Sequence, residues 1–135
     1  MIIINLMGGL GNQMFQYAAA KHLAIINNTE FKFDASNFRK LTANVEHVLQ
    51  LDCFNITAWQ ALKHKIRKYK PDHQRNRFIV HVTRALFPVA FKASCDLVYE
   101  EPAGSAFKRY FFELGPDRYL IGYFNSYKYF DSIRD

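Results

Sequence analysis

The chain has 135 residues, a mass of 15.8 kDa and a formal net charge of +6, which suits one ordinary domain. Half of the residues are hydrophobic and 16% are aromatic, so a core can form and intrinsic disorder of the whole chain is excluded. The sequence has no apolar run of the roughly 18 residues that a membrane span requires, no basic n-region of a secretory signal and too few cysteines for a disulfide framework. These features predict a cytoplasmic protein.

The N-terminal quarter has the pattern of a strand, a glycine turn, a helix and a second strand. Residues 2–6 form a β-branched run typical of a fully buried strand, which Gly8-Gly9 stops. From Asn12, a natural N-cap, apolar residues recur at helical spacing until Asn27-Asn28. Residues 31–34 alternate phenylalanine with polar residues, as in a strand. This order predicts a βαβ unit within an α/β fold, a Rossmann-like parallel sheet with flanking helices.

The middle of the chain is less regular, and its clearest feature is charge. Residues 63–84 hold eight basic residues and one acidic residue, a local net charge of +7 that leaves −1 for the rest of the chain. Residues 59–70 have helical spacing, which Pro71 ends, and residues 78–93 are apolar enough to be buried. The apolar side of the predicted helix consists of Trp59, Leu62, Ile66 and Tyr69.

The basic segment is interpreted first as a solvated helix face, or at most a weak peripheral membrane contact. The alternatives are a contact with nucleic acid, anionic lipid or an acidic partner. Nucleic acid is not expected as a partner, because the chain has no RNA-binding signature, zinc spacing or helix-turn-helix pattern.

The C-terminal part regains a regular pattern. Residues 118–124 are predicted to form a strand, and Ser126 is placed to cap a new helix. The chain ends at Asp135, soon after this helix begins, and we therefore expect a truncated domain.

The glycine turn at residues 7–17 is the main chemical signal. Glycines between a buried strand and a helix let a ligand approach the backbone, and the start of the helix offers unpaired N–H groups to an anion. The alternative is a tight turn that needs glycine for positive φ and close packing. Two standard phosphate motifs fail: Met14 stands where a dinucleotide fingerprint needs glycine or alanine, and Asn12-Gln13 follow Gly11 where a Walker A loop needs lysine.

Two segments resemble a known family. The first, Gly8-Gly9-Leu10-Gly11-Asn12-Gln13-Met14-Phe15-Gln16-Tyr17-Ala18, resembles the opening motif of glycosyltransferase family 11, the α-1,2-fucosyltransferases. The second, Gly122-Tyr123-Phe124-Asn125-Ser126-Tyr127-Lys128-Tyr129-Phe130, resembles the family's Gly-Tyr-aromatic-Gln-Ser-x-Lys-Tyr-Phe block, with asparagine in place of glutamine. Residues 51–56 stand where such proteins carry Leu-x-x-Phe-x-Ile. The resemblance spans nearly the whole chain and is least distinctive over residues 60–117.

The resemblance implies a GT-B type enzyme with two facing Rossmann-like domains. Such an enzyme transfers fucose from GDP-fucose to a galactoside acceptor with inversion, and it needs no metal. The family's donor-binding motif, His-x-Arg-Arg-x-Asp, belongs to the second domain and is not found in this sequence; residues 73–78 are the nearest string and precede the Gly122 block.

Residues 1–135 are therefore expected to be the N-terminal, acceptor-side domain without its C-terminal donor-binding domain. As an isolated chain it is expected to be inactive and to bind no cofactor. Its exposed interdomain surface makes a homodimer or poor solubility an expected outcome.

The resemblance also implies roles for individual residues. The donor phosphate or fucose would face the turn formed by Gly9, Leu10, Gly11, Asn12 and Gln13. Asn12 is the first candidate for a direct catalytic contact, with N-capping as the alternative; Gln13 and Gln16 are weaker candidates that could instead face solvent. Asp34 ends the second strand and is a candidate general base, or else a turn residue. The acceptor cleft would be lined by Tyr123, Asn125 and Tyr129, although core packing is an equal alternative for the tyrosines.

No metal site is expected, because the five histidines show no ligand spacing. His22 is predicted to be a satisfied, half-buried side chain. Two other functions stay open at this point: a non-catalytic α/β binding module whose basic segment meets an anionic surface or partner, and a different nucleotide-binding α/β domain.

Overall fold

The computed structural model describes residues 1–39, 48–56, 59–69, 97–102 and 106–133. Within these ranges one parallel sheet has five strands: β1 (Ile2–Asn5), β2 (Phe31–Asp34), β3 (Trp59–Gln60), β4 (Val98–Glu100) and β5 (Arg118–Ile121). Their spatial order is β3-β2-β1-β5-β4. The two α-helices in these ranges are α1 (Leu10–Ile26) and α2 (Lys63–Tyr69). The predicted α/β architecture, a Rossmann-like parallel sheet with flanking helices, is confirmed.

The predicted βαβ unit is confirmed in order and position. β1 and β2 are parallel neighbours, with Ile4 in register with Phe33, and α1 connects them. All four residues of β1 are buried, as its β-branched run predicted. α1 stops where the sequence indicated, because the Asn27 side chain donates a hydrogen bond to the Leu23 carbonyl at 3.0 Å and Asn28 adopts a left-handed φ of 46°.

The core has one part on each side of the sheet. Side chains of a strand alternate between its faces, so Ile2 and Ile4 pack on the α1 side and Ile3 packs on the other. On the second side Ile66 and Tyr69 of α2 cover Ile3. Both faces of the sheet are therefore covered, as parallel sheets require.

The predicted helix over residues 59–70 is only partly right. Residues 59–60 form β3, and the helix begins at Lys63; its predicted stop at Pro71 and the apolar segment 78–93 lie outside the described residues. Ile66 and Tyr69 are buried as predicted. Trp59 and Leu62 are not, with 77% and 59% of their surface exposed, because they precede the helix and do not share its buried face.

The predicted helix after Ser126 is wrong. The chain forms two short 3-10 turns, Tyr127–Tyr129 and Asp131–Ile133, interrupted at Phe130, whose φ of −147° is incompatible with a helix. His22 on α1 explains this path. Its Nδ1 donates to the Tyr129 carbonyl at 2.6 Å, and its Nε2 accepts from the Ser132 hydroxyl at 2.7 Å. These contacts confirm that His22 is a satisfied structural histidine, although it is buried and not half-buried as predicted.

Candidate functional site

The loops that follow β1 and β5 form the candidate site. The two strands are parallel neighbours, with Ile4 in register with Leu120, so their carboxyl ends meet at one edge of the sheet. Ligands of open α/β sheets bind outside the carboxyl ends of the strands. The Gly8 and Gly122 blocks, about a hundred residues apart in the chain, supply these two loops.

The turn after β1 uses its glycines in different ways. Gly8 has a φ of +76°, so the turn requires glycine for its backbone conformation; a Cβ at this position would also lie 2.5 Å from Asn12 Nδ2, the movable end of that side chain. Gly11 is exposed on the first turn of α1 and borders open space. The start of the helix therefore presents a surface with little side-chain cover.

Asn12 is not the N-cap. Gly9 occupies that position with an extended φ of −76° and ψ of 178°, and α1 already begins at Leu10. Asn12 thus lies in the first turn, with its amide packed over Gly8. Within the described residues this amide makes no hydrogen bond. Capping is therefore excluded as the role of Asn12, and its amide group is available to a ligand.

Gln13 and Gln16 are fully buried, and neither faces solvent as the sequence had allowed. Gln13 Nε2 donates to the carbonyls of Gly8 at 3.0 Å and Val48 at 2.8 Å, and its Oε1 accepts from the Gln50 amide at 3.0 Å. This side chain joins the glycine turn to the segment that precedes Leu51.

Gln16 joins the two loops of the candidate site. Its Oε1 accepts a hydrogen bond from the Met7 amide at 3.1 Å, and its Nε2 donates to the Gly122 carbonyl at 3.0 Å. One buried amide therefore holds the end of β1 against the end of β5, and it satisfies two backbone groups that lie outside the sheet ladder.

The loop after β5 is held in an uncommon conformation. Gly122 has a φ of +154°, and Phe124, a fully buried aromatic residue, has a φ of 53°. Glu101, which follows β4, stabilises this loop, since its Oε2 accepts from the amides of Tyr123 at 2.8 Å and Phe124 at 2.7 Å. A left-handed non-glycine residue costs about 1–3 kcal/mol and persists where its surroundings enforce it.

Glu101 was missed by the sequence analysis. Its only signal is an acid immediately after a short strand, in the least distinctive part of the chain. Its partner amides lie more than twenty residues downstream, and nothing in the local pattern connects them.

The predicted acceptor residues separate into two groups. Tyr123 is 44% exposed and Asn125 is exposed, so both border the site. Tyr129 is fully buried, and its ring centroid lies 4.9 Å from that of Phe111 and 5.1 Å from that of Phe107. Core packing, the alternative for Tyr129, is the role that this geometry favours.

Asp34 is also fully buried. Its Oδ2 accepts a hydrogen bond from the Tyr119 hydroxyl at 2.7 Å, and its Oδ1 accepts from the Ser36 amide at 2.9 Å. Tyr119 lies on β5, so Asp34 connects the end of β2 to a strand on the far side of β1. This arrangement favours the turn role of Asp34.

The contact between Tyr119 and Asp34 predicts sensitivity to alkali. Burial, the hydrogen bond to Asp34 and the charge of that carboxylate together raise the pKa of Tyr119 far above its ordinary value of 10.0. The folded protein keeps this proton at a pH where the unfolded chain loses it, so the stabilising contribution is complete below pH 10 and falls as the pH rises. We expect Tyr119→Phe to make the decline in unfolding free energy above pH 10 shallower by about 1.4 kcal/mol per pH unit. Urea unfolding at several pH values measures this slope, and equal slopes in both proteins would contradict the prediction.

Two further findings concern metal ions and membranes. The described residues contain no group of three or more His, Cys, Asp or Glu side chains suited to a metal ion. Of the helices in the described ranges, none has the length and apolar character needed to cross a lipid bilayer.

Comparison of the chain with protein-family models, with curated proteins and with solved structures finds no match in any of the three. The function is therefore inferred from the two resembling segments and from the geometry of the site.

Proposed function

We propose that this chain is the acceptor-side domain of a GT-B type α-1,2-fucosyltransferase. The complete enzyme would transfer fucose from GDP-fucose to a galactoside acceptor with inversion, and a second domain with the His-x-Arg-Arg-x-Asp motif would bind most of the donor. On this proposal the present chain is inactive alone.

One observation carries the proposal. The two segments that resemble this family are far apart in the sequence, yet they form adjacent loops at the carboxyl edge of the sheet. Gln16 connects them directly through the Met7 amide and the Gly122 carbonyl. Resemblances that arise by chance give no reason for two segments to meet at the edge where α/β sheets bind ligands.

The glycine turn supplies the chemistry that the departing phosphate needs. Negative charge grows on the phosphate as the sugar leaves, and donors that are already positioned stabilise that charge. The first turn of α1 offers backbone N–H groups and the positive end of the helix dipole, and the exposed Gly11 lets a phosphate approach them. The Asn12 amide adds a neutral donor on the same turn.

The acceptor would lie over the neighbouring loop. Tyr123 offers an exposed ring that can stack on a sugar face, and Asn125 offers an amide beside it. Tyr129 and Asp34 take no direct part in the proposed reaction, because both are fully buried and hydrogen-bonded within the fold.

The decisive test is a gene product that contains both domains. The DNA that follows codon 135 should encode His-x-Arg-Arg-x-Asp in an accessible reading frame, and the longer protein should transfer fucose from GDP-fucose to a galactoside. If that sequence is missing and the chain alone binds a nucleotide, a different nucleotide-binding domain is the correct assignment. If that sequence is missing and the chain binds anionic lipid or polyanions but no nucleotide, the binding module is the correct assignment.

In the two-domain protein we expect Asn12→Ala to lower kcat by about 10- to 100-fold, the value of one hydrogen bond to a charged group. The melting temperature should change little, because Asn12 makes no hydrogen bond within the described residues. Asn125→Ala on the neighbouring loop is the matched variant, and it should act mainly through the KM for the acceptor. Unchanged kcat in Asn12→Ala would remove Asn12 from the reaction.

A further inference from the structure

Trp59 and Leu62 are exposed apolar side chains, three positions apart in the chain, that the candidate site does not use. Trp59 is 77% exposed at the start of β3, and Leu62 is 59% exposed just before α2. Large side chains of this kind are usually buried, since their burial contributes strongly to folding. Ala61, between them in the chain, is buried and donates its backbone N–H to the Phe33 carbonyl at 2.8 Å, so the pair is attached to the sheet.

Positively charged side chains follow Leu62 directly in the chain. α2 begins immediately after Leu62 and carries Lys63, Lys65, Arg67 and Lys68 without any acidic residue. Lys63 and Arg67 are exposed one helical turn apart, on the same side of the helix. Among these four cations and within the described residues, only Lys68 meets a carboxylate, that of Asp117 at 2.9 Å.

Lys32 adds to the same surface. It is in register with Trp59 between β2 and β3, and register partners share one face of a sheet. That face is the one covered by α2, because Ile3, the register partner of Lys32 on β1, packs against Ile66. Trp59, Lys32 and the cations of α2 thus lie on the side of the sheet that α2 covers.

We propose that this surface, which we name the basic edge (Lys32, Trp59, Leu62, Lys63, Lys65 and Arg67), docks on an anionic phospholipid bilayer. An indole ring is stable at the level of the lipid headgroups, and an aliphatic side chain reaches the adjoining acyl region. Each cation near an anionic bilayer increases partitioning by about fivefold. The long stems of lysine and arginine allow their charges to reach the headgroups while the apolar pair inserts.

The composition of the basic edge favours a bilayer over a nucleic acid. A single strand of RNA or DNA could stack a base on Trp59, but it offers nothing apolar to Leu62. A bilayer accepts the indole ring, the aliphatic side chain and the cations together. The binding is independent of the proposed enzymatic activity, because it uses neither the glycine turn nor the loop after β5.

Trp59 makes the proposal directly testable. It is the single tryptophan of the chain, so its fluorescence reports on this surface without a label. At low salt we expect vesicles of phosphatidylcholine with phosphatidylglycerol to shift the Trp59 emission to shorter wavelength and to sediment the protein. Vesicles of phosphatidylcholine alone should do neither, and added salt should release the protein.

Two triple variants with the same net charge distinguish binding through the basic edge from general electrostatic attraction of the protein to the vesicles. Lys63→Glu/Lys65→Glu/Arg67→Glu should lower the apparent affinity for the anionic vesicles by at least about 100-fold, because three attractive charges become repulsive. Lys21→Glu/Arg109→Glu/Lys128→Glu, which changes exposed cations elsewhere, should retain most of the affinity. Trp59→Ala keeps every charge and should weaken sedimentation with the anionic vesicles. The Trp59 side chain is too exposed for its removal to disturb the fold.

The proposal is overturned by any of four results. The first is an unshifted Trp59 emission with anionic vesicles at low salt. The second is an equal loss of affinity in both triple variants, and the third is unchanged sedimentation of Trp59→Ala. The fourth is tighter binding to polyuridylate than to the vesicles, which would assign the basic edge to nucleic acid. None of these measurements involves a nucleotide sugar, so their failure leaves the proposed function unaffected.

Discussion

Gly122→Ala is expected to lower the free energy of unfolding by about 3–5 kcal/mol. Gly122 has a φ of +154°, which a residue with a side chain rarely adopts. A Cβ at this position would lie 2.4 Å from Glu101 Cβ and 2.8 Å from Glu101 Oε2. The first of these atoms lies next to the Glu101 backbone and cannot simply rotate away. The added methyl group therefore displaces Glu101 from the amides of Tyr123 and Phe124, whose charge-assisted bonds are then lost.

Gly11→Ala in the first turn of α1 is the matched control. Gly11 is exposed within α1, and a Cβ there meets nothing within 4 Å. Alanine is the better helix former, so this variant should be unchanged or more stable by about 0.5–1 kcal/mol. Urea unfolding of the two variants measures the contrast between them. Equal stabilities would show that the loop after β5 tolerates a side chain at residue 122.

A double-mutant cycle identifies the cause of the loss. Glu101→Ala removes the side chain that the new methyl group meets, so Gly122→Ala should cost less in that background than in the natural protein. The remaining cost is the part due to φ alone. Glu101→Gln preserves the shape and an acceptor oxygen, and it should destabilise less than Glu101→Ala. Strict additivity in the cycle would exclude the clash between Gly122 and Glu101.

Local sequence patterns correctly predicted the elements whose structure is determined by neighbouring residues in the chain. β1 was recognisable because four consecutive buried residues need apolar side chains on both faces, and Ile2, Ile3 and Ile4 supply them. The end of α1 was recognisable because Asn27-Asn28 can adopt the conformations that stop a helix. The glycine turn likewise needed glycine at residue 8 for its own backbone conformation.

The interpretation failed where a distant partner decides the structure. Helical spacing placed Trp59 and Leu62 under the basic helix, but pairing with β2 draws residues 59–60 into the sheet and delays the helix to Lys63. The helix expected after Ser126 is replaced by two 3-10 turns that are bonded to His22 on α1. The apolar spacing within either segment does not indicate these contacts with distant residues.

The candidate site could be predicted in location but not in its supporting contacts. Glycines after a buried strand and a second glycine block near the C-terminus indicated where ligands would bind. The polar groups that join these loops, Gln16 and Glu101, bond to residues about a hundred and about twenty positions away respectively. Such pairings depend on the strand order, and no local pattern predicts the order β3-β2-β1-β5-β4.

Gln16→Leu should lower the free energy of unfolding by about 1–4 kcal/mol, although leucine has nearly the volume of glutamine and is more apolar. The substitution leaves the Met7 N–H and the Gly122 carbonyl without their partner, in a place where Gln16 itself is fully sealed from water. Each backbone group left unsatisfied in a buried environment costs about 1–3 kcal/mol, and the gain from burying leucine only partly offsets the two. Lys21→Leu on the exposed side of α1 is the control, and it should change stability by less than about 0.5 kcal/mol.

Amide hydrogen exchange distinguishes loss of this bridge from general destabilisation. In Gln16→Leu the Met7 amide should exchange faster by a larger factor than the neighbouring Leu6 amide, which bonds to the Asp34 carbonyl at 3.0 Å and keeps its partner. A variant that merely unfolds more often would accelerate both amides equally. Because Gln16 connects the loop after β1 to the loop after β5, selective exchange at Met7 would also show that one side chain holds together the two segments on which the proposed function depends. If Met7 and Leu6 accelerate alike, the two loops are positioned by the sheet alone, and Gln16 only fills the space between them.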